Sequence, residues 1–170
     1  MKSKENINLE LIDLYKELKK VDLPDELLNN LSAPILLKVG ENWTTADERI
    51  LIVGQETQGW GHDGLKYSKY INFINRDNSI QEMMEFYDMF CFAKTSSHRL
   101  SPFWRAFRQI ADKNINEMTT DSNVLWSNLI RADYKRASLL SASENDRNIV
   151  LDRLKGILFK EIIILQPTKV

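Results

Sequence analysis

One cysteine in 170 residues removes two chemistries at once. Cys91 stands alone between Phe90 and Phe92, so no internal disulfide forms, and a structural zinc site lacks its thiolates. It reads as a buried thiol in a reducing cytoplasm. Histidine is almost as scarce: His62 and His98 are the two present, and the adjacent His62-Asp63 has no third ligand in its spacing. No metal and no cofactor are expected. The chain also lacks an apolar run of about 18 residues, and Met1-Lys-Ser-Lys-Glu-Asn6 passes straight into a charged amphipathic pattern. A cytoplasmic protein without a membrane partner is therefore expected. Net charge is small, -1 with a pI near 6.2, so the overall balance selects no anionic partner. Glycine is sparse, and four of its six occurrences fall between Gly54 and Gly64.

What is there has the order of an α/β domain, and 170 residues with 43% hydrophobic content suffice for one core. Ile7, Leu11, Ile12, Tyr15 and Leu18 recur at helical spacing, and Pro24-Asp25-Glu26 opens a second helix, giving a helical layer over residues 1–48. Leu36 to Trp43 is irregular by pattern. Ile50 to Val53 is a short β-branched and aliphatic run, expected as a central parallel strand. Ser79-Ile-Gln-Glu82 has capping-box spacing ahead of a helix over about 80–93. Ser101-Pro102 opens another, with Phe103, Trp104, Phe107, Ile110 and Ala111 on its apolar face. Val124 to Ile130 reads as a second buried strand. Ser143 opens one long helix running to Leu165, and Thr168-Lys-Val170 is expected to begin a third strand, with the domain continuing past it.

The strand at 50–53 runs into Gly54-Gln-Glu-Thr-Gln-Gly59-Trp-Gly61-His-Asp-Gly64, a polar loop beyond a strand's carboxyl end, where open α/β sheets place ligands. It is neither a Walker A loop, since Gly54-x4-Gly59 is followed by Trp60, nor a dinucleotide fingerprint. Gln55 and Glu56 are expected to emerge side by side at this point. Nearby charge is uneven: residues 94–113 carry Lys94, Arg99, Arg105, Arg108 and Lys113 against Asp112 alone. One basic face is expected on a nearly neutral molecule.

Gly54-Gln55-Glu56 resembles the start of the water-activating Gly-Gln-Asp-Pro-Tyr-His motif of the uracil-DNA glycosylase superfamily, with Glu56 in place of its aspartate. Gly64-Leu-Lys-Tyr67 resembles the family's Gly-Leu-Ala-Phe segment, and Val124 to Asn128 its Leu-Leu-Leu-Asn strand. Gln166-Pro-Thr-Lys-Val170 is similar to its crossover into a following strand. Thr57-Gln58-Gly59 stands where the family has Pro-Tyr-His, and the family's His-Pro-Ser-Pro segment has no counterpart in these residues. The resemblance spans about residues 49–170. It implies a three-layer α/β/α sandwich with a short, mostly parallel central sheet, and hydrolytic excision of a damaged or deaminated base from single-stranded or damaged DNA.

Residue by residue, it makes Glu56 and Gln55 catalytic: Glu56 orients water and stabilises the sugar cation, and Gln55 shapes the pocket and donates from its backbone. Gly54, Trp60, Tyr67 and Asn128 hold the base, Tyr67 by stacking and Asn128 by pairing with its edge. From the local charge, Arg99, Ser101, Arg105, Arg108 and Arg131 are expected to contact DNA phosphates, weakly and electrostatically. Plainer readings stand beside these. Glu56 accepts backbone N–H bonds, Asn128 ends a strand, Trp60 and Tyr67 pack, and Arg105 and Arg108 are a solvated face. A non-catalytic nucleic-acid or nucleotide-binding module on the same fold is the alternative function.

Overall fold

The computed structural model describes residues 2–57, 69–92, 102–111 and 122–170, apart from the side chains of residues 89–92 and 108. Helices α1 (Lys4–Lys19), α2 (Asp25–Asn30) and α3 (Glu41–Thr45) precede strand β1 (Ile50–Glu56). Helices α4 (Tyr70–Asn75), α5 (Ser79–Phe92) and α6 (Pro102–Ala111) lead to β2 (Val124–Ile130). A 3₁₀ turn (Leu139–Ser141) and helices α7 (Glu144–Leu154) and α8 (Ile157–Leu165) follow. None of the described helices is long and apolar enough to cross a membrane.

The two strands pair in parallel, Ile50 with Val124 through Gly54 with Asn128 to Glu56 with Ile130. A parallel pair needs a crossover, and α4 to α6 supply it. Because side chains alternate along a strand, Ile50, Ile52, Gly54 and Glu56 share one face with Val124, Trp126, Asn128 and Ile130. Aromatic rings cover that face. Phe103 and Trp104 of α6 meet Trp126 edge-on at 5.9 and 5.2 Å, and Tyr87 of α5 stacks on it at 5.4 Å. The Tyr87 hydroxyl also donates to the Trp126 carbonyl (2.9 Å) and accepts from its N–H (3.1 Å), occupying backbone groups at the outer edge of β2.

On the opposite face Ser127 meets α8, and α1 lies against α8 and α5. This face is only partly covered: Leu51 and Leu125 are buried, whereas Val53 and Leu129 near its carboxyl end are 36% and 60% exposed. The far edge of β1 is met by a parallel bridge from Ile50 to Lys169, with Leu51 N–H donating to the Lys169 carbonyl at 3.0 Å.

Two expectations change. The helix over 143–165 is broken at Gly156, whose φ of +88° is a left-handed conformation that suits glycine; α7 ends before it and α8 begins after it. The capping box at Ser79 does not form, because its hydroxyl turns back to donate to the Phe73 and Arg76 carbonyls at 2.6 and 2.9 Å. The run Leu31–Leu37 is wholly buried without being a strand. Its backbone finds partners instead in Asp133 and Arg131 of the segment after β2 and in the Tyr15 hydroxyl. Asn8 holds Val39 at both its N–H and its carbonyl.

Candidate functional site

Strand β1 does not stop at Val53 but continues through Gly54, Gln55 and Glu56, and this decides which side chains can cooperate. Alternation sends Gln55 to the face opposite Glu56, where it is exposed. The expectation that the two emerge side by side is corrected, and the Gln55 side chain stands apart from Glu56 and Asn128. Glu56 and Asn128 do share a face: Asn128 pairs with Gly54, two residues before Glu56.

Gly54 makes this arrangement possible. A Cβ there would stand 2.4 Å from the Asn128 Oδ1, closer than real Cβ contacts come, and 3.2 Å from Cε2 of Phe103, a tight contact. The missing side chain is therefore the space that the Asn128 amide occupies. Asn128 is only 4% exposed, and among the described residues its side-chain amide has no hydrogen-bond partner. Among the described residues the fully buried side-chain polar atoms without a partner are Thr57 Oγ1 and Arg131 Nε, so the Asn128 amide still touches solvent and its donor and acceptor are open to a ligand. Glu56 is half-buried, and its Oε2 accepts the Leu139 N–H at 2.9 Å, which ties β1 to the first residue of the 3₁₀ turn. That bond orients the carboxylate and uses one oxygen. The other has no partner among the described residues.

Gly54, Glu56 and Asn128 are thus brought together at the carboxyl ends of adjacent parallel strands. Arg105 is exposed on α6, and Arg108 lies in the same helix. Trp60, Tyr67, Arg99 and Ser101 lie outside the described residues, as do His62 and His98. Among the described residues no three His, Cys, Asp or Glu side chains gather as metal ligands.

Arg131 is corrected outright, because a side chain 1% exposed cannot meet a phosphate. Its Nη2 pairs with the Glu161 carboxylate of α8, itself fully buried, and its Nη1 donates to the Ile35 carbonyl at 3.1 Å. The Tyr15 hydroxyl donates to Glu161 Oε1 at 2.7 Å and accepts the Leu37 N–H at 2.9 Å, while the Ser127 hydroxyl donates to Oε2 at 3.3 Å. Burial pushes the Glu161 carboxyl above its ordinary range, with the Arg131 guanidinium and the two hydroxyls pulling against it. Burial likewise raises the Tyr15 phenol, and the Glu161 charge raises it further. This network joins α1, the Ile35–Leu37 segment, β2 and α8 directly behind the candidate site.

No protein-family model, curated protein or solved structure matches the chain. The chemistry of the site therefore rests on its own atoms. Two contributors escaped the sequence reading. Phe103 looked like core by its helical spacing, yet it is half-buried and its ring edge faces Gly54. The Leu139 N–H carries no sequence signal beyond Ser138, whose hydroxyl accepts from Leu140 N–H at 3.1 Å and opens the 3₁₀ turn.

Proposed function

We propose that this protein binds a nucleobase in DNA between Asn128 and Glu56 and excises it hydrolytically, in the manner of a uracil-DNA glycosylase. We further propose that its helices and parallel strands form a three-layer α/β/α sandwich of that type. One observation carries the reading: an unpartnered, nearly buried amide and an oriented carboxylate share a face at the ends of paired parallel strands, with a glycine between them. The amide has the donor and acceptor needed by a uracil-like edge. The carboxylate suits the other half of the reaction, because breaking an N-glycosidic bond leaves positive charge on the sugar. A carboxylate about 4 Å from that charge contributes on the order of 4 kcal/mol at an effective dielectric near 20, roughly a thousandfold in rate.

A second reading is a non-catalytic module that binds a nucleotide or nucleic acid with the same residues. It is favoured by the engagement of Glu56 Oε2 with Leu139 N–H, a capping contact that needs no reaction to explain it. Abasic-site formation in uracil- or hypoxanthine-containing single-stranded DNA, read as alkali-labile breaks, separates the two. Glu56→Gln keeps an oxygen for the Leu139 N–H and loses only charge. It should retain DNA binding while excision falls about a thousandfold. Wild-type protein that binds DNA and releases no base contradicts the enzyme and leaves the module.

A further inference from the structure

Arg131 is buried and Arg105 lies exposed on α6, and the segment after β2 presents two further cations. Tyr134 and Ala137 bond reciprocally through their backbones (3.1 and 2.9 Å), closing a two-residue turn whose central residues are Lys135 and Arg136. Both have positive φ, 51° and 67°. Such turns ordinarily take Asn-Gly, because side chains larger than these disfavour the left-handed region. Here two long cationic residues occupy it. The conformation is held from both sides: Lys135 N–H donates to the Asn30 carbonyl at 2.8 Å, Tyr134 bridges to Leu31, and Arg136 N–H donates to Asp133 Oδ1 at 3.1 Å.

Both side chains are exposed, and neither is paired with a carboxylate among the described residues. Lys135 Nζ lies 5.1 Å from the centre of the Tyr134 ring, whereas Lys2, Lys16, Lys155 and Lys160 are all ion-paired. The turn is also close to the site. Leu139, whose N–H holds Glu56, is three residues beyond Arg136, a span of about 10 Å at most.

We propose that the Lys135-Arg136 turn is a phosphate clamp, gripping the backbone of a nucleic-acid strand beside the nucleotide that enters the Asn128–Glu56 site. The inference rests on the reading of that site as a nucleobase site. Backbone strain at an exposed basic pair then has a purpose, because the turn projects two unpaired cations from a rigid, anchored position.

The test measures binding of a fluorescent single-stranded oligonucleotide by full-length protein across a salt series. Removing two phosphate contacts should make the log-log salt slope shallower by about 1.4, or about sevenfold less loss of affinity between roughly 50 and 200 mM salt. Lys135→Asn with Arg136→Gly should weaken binding in this way while raising the melting temperature, since the new pair suits the turn. Lys16→Ala with Lys155→Ala, removing the same net charge elsewhere, should leave the slope close to wild type. Wild-type affinity and slope in the turn variant overturn the clamp and leave base excision standing. Conversely, loss of DNA binding in the turn variant alongside excision unaffected by Glu56→Gln supports the clamp and overturns the catalytic reading. Failure of the wild-type protein to bind the strand at low salt overturns both.

Discussion

Replacing Arg131 by Met should expose the cost of an unpaired buried carboxylate in the layer behind the site. The guanidinium is 1% exposed and is the only cationic partner of Glu161 among the described residues, so Arg131→Met leaves that acid desolvated with only the Tyr15 and Ser127 hydroxyls. Breaking a buried pair by removing one partner costs about 3–5 kcal/mol, and the bond to the Ile35 carbonyl is lost as well. For a chain of this size each kcal/mol shifts the melting temperature by about 2–4 °C, so a fall of roughly 6–20 °C is expected. The defect should depend on pH in a definite direction. Burial already holds the Glu161 carboxyl above the ordinary 4.5, and losing Arg131 raises it further. Above 4.5 the fold then holds a proton that the unfolded chain has released, so stability falls as pH rises through that window and is recovered below it. Arg131→Met should therefore be mildest in acid and worst near neutrality. Adding Glu161→Gln removes the charge, and the double variant should melt well above Arg131→Met with little of this pH dependence. Calorimetry across the pH range is the assay. A single variant that melts like wild type, or a double variant no better than the single, would refute the buried pair as described.

Gly54→Ala should displace the Asn128 amide and press on Phe103, since the new Cβ would stand 2.4 and 3.2 Å from them. The overpacking cost of about 1–3 kcal/mol is partly offset by a stiffer unfolded chain, so base selection should suffer more than the melting temperature. Unchanged excision in this variant would show that the space is not used. Gly156→Ala meets no neighbour within 4 Å, but its φ of +88° strains any L side chain, so a loss of about 1–2 kcal/mol is expected with no effect on DNA binding. Equal stability to wild type in urea denaturation would contradict that.

Both strands were legible because Ile50 to Val53 is a short aliphatic run and Val124 to Ile130 a short, mostly apolar one, each too short for a helix of ordinary length, and their parallel pairing follows from the helices between them. The extension of β1 through Glu56 was not legible. Gly54-Gln55-Glu56 has loop composition, and only the partners Asn128 and Ile130 hold it in the ladder. Gly156 was visible, yet a continuous apolar stripe on both sides concealed the break between α7 and α8. Arg131 shows the limit most clearly, because its fate depends on Glu161, thirty residues later on another element. Alternation along the two paired runs placed Glu56 and Asn128 on one face, two residues apart in register, whereas the bond from Leu139 N–H depends on a backbone group that no side-chain pattern reveals.

The central claim is that the free amide of Asn128 reads a base. It is tested most directly by NMR titration of ¹⁵N-labelled Glu56→Gln protein, which should bind without turnover, with a short single-stranded oligonucleotide containing one uracil. The Asn128 side-chain amide resonances, assigned by their absence in an Asn128→Ala control, should shift saturably, and should shift less with the same oligonucleotide carrying cytosine, whose edge reverses the donor and acceptor. Resonances that stay fixed while backbone signals around Lys135 and Arg136 report that the strand is bound would contradict the claim.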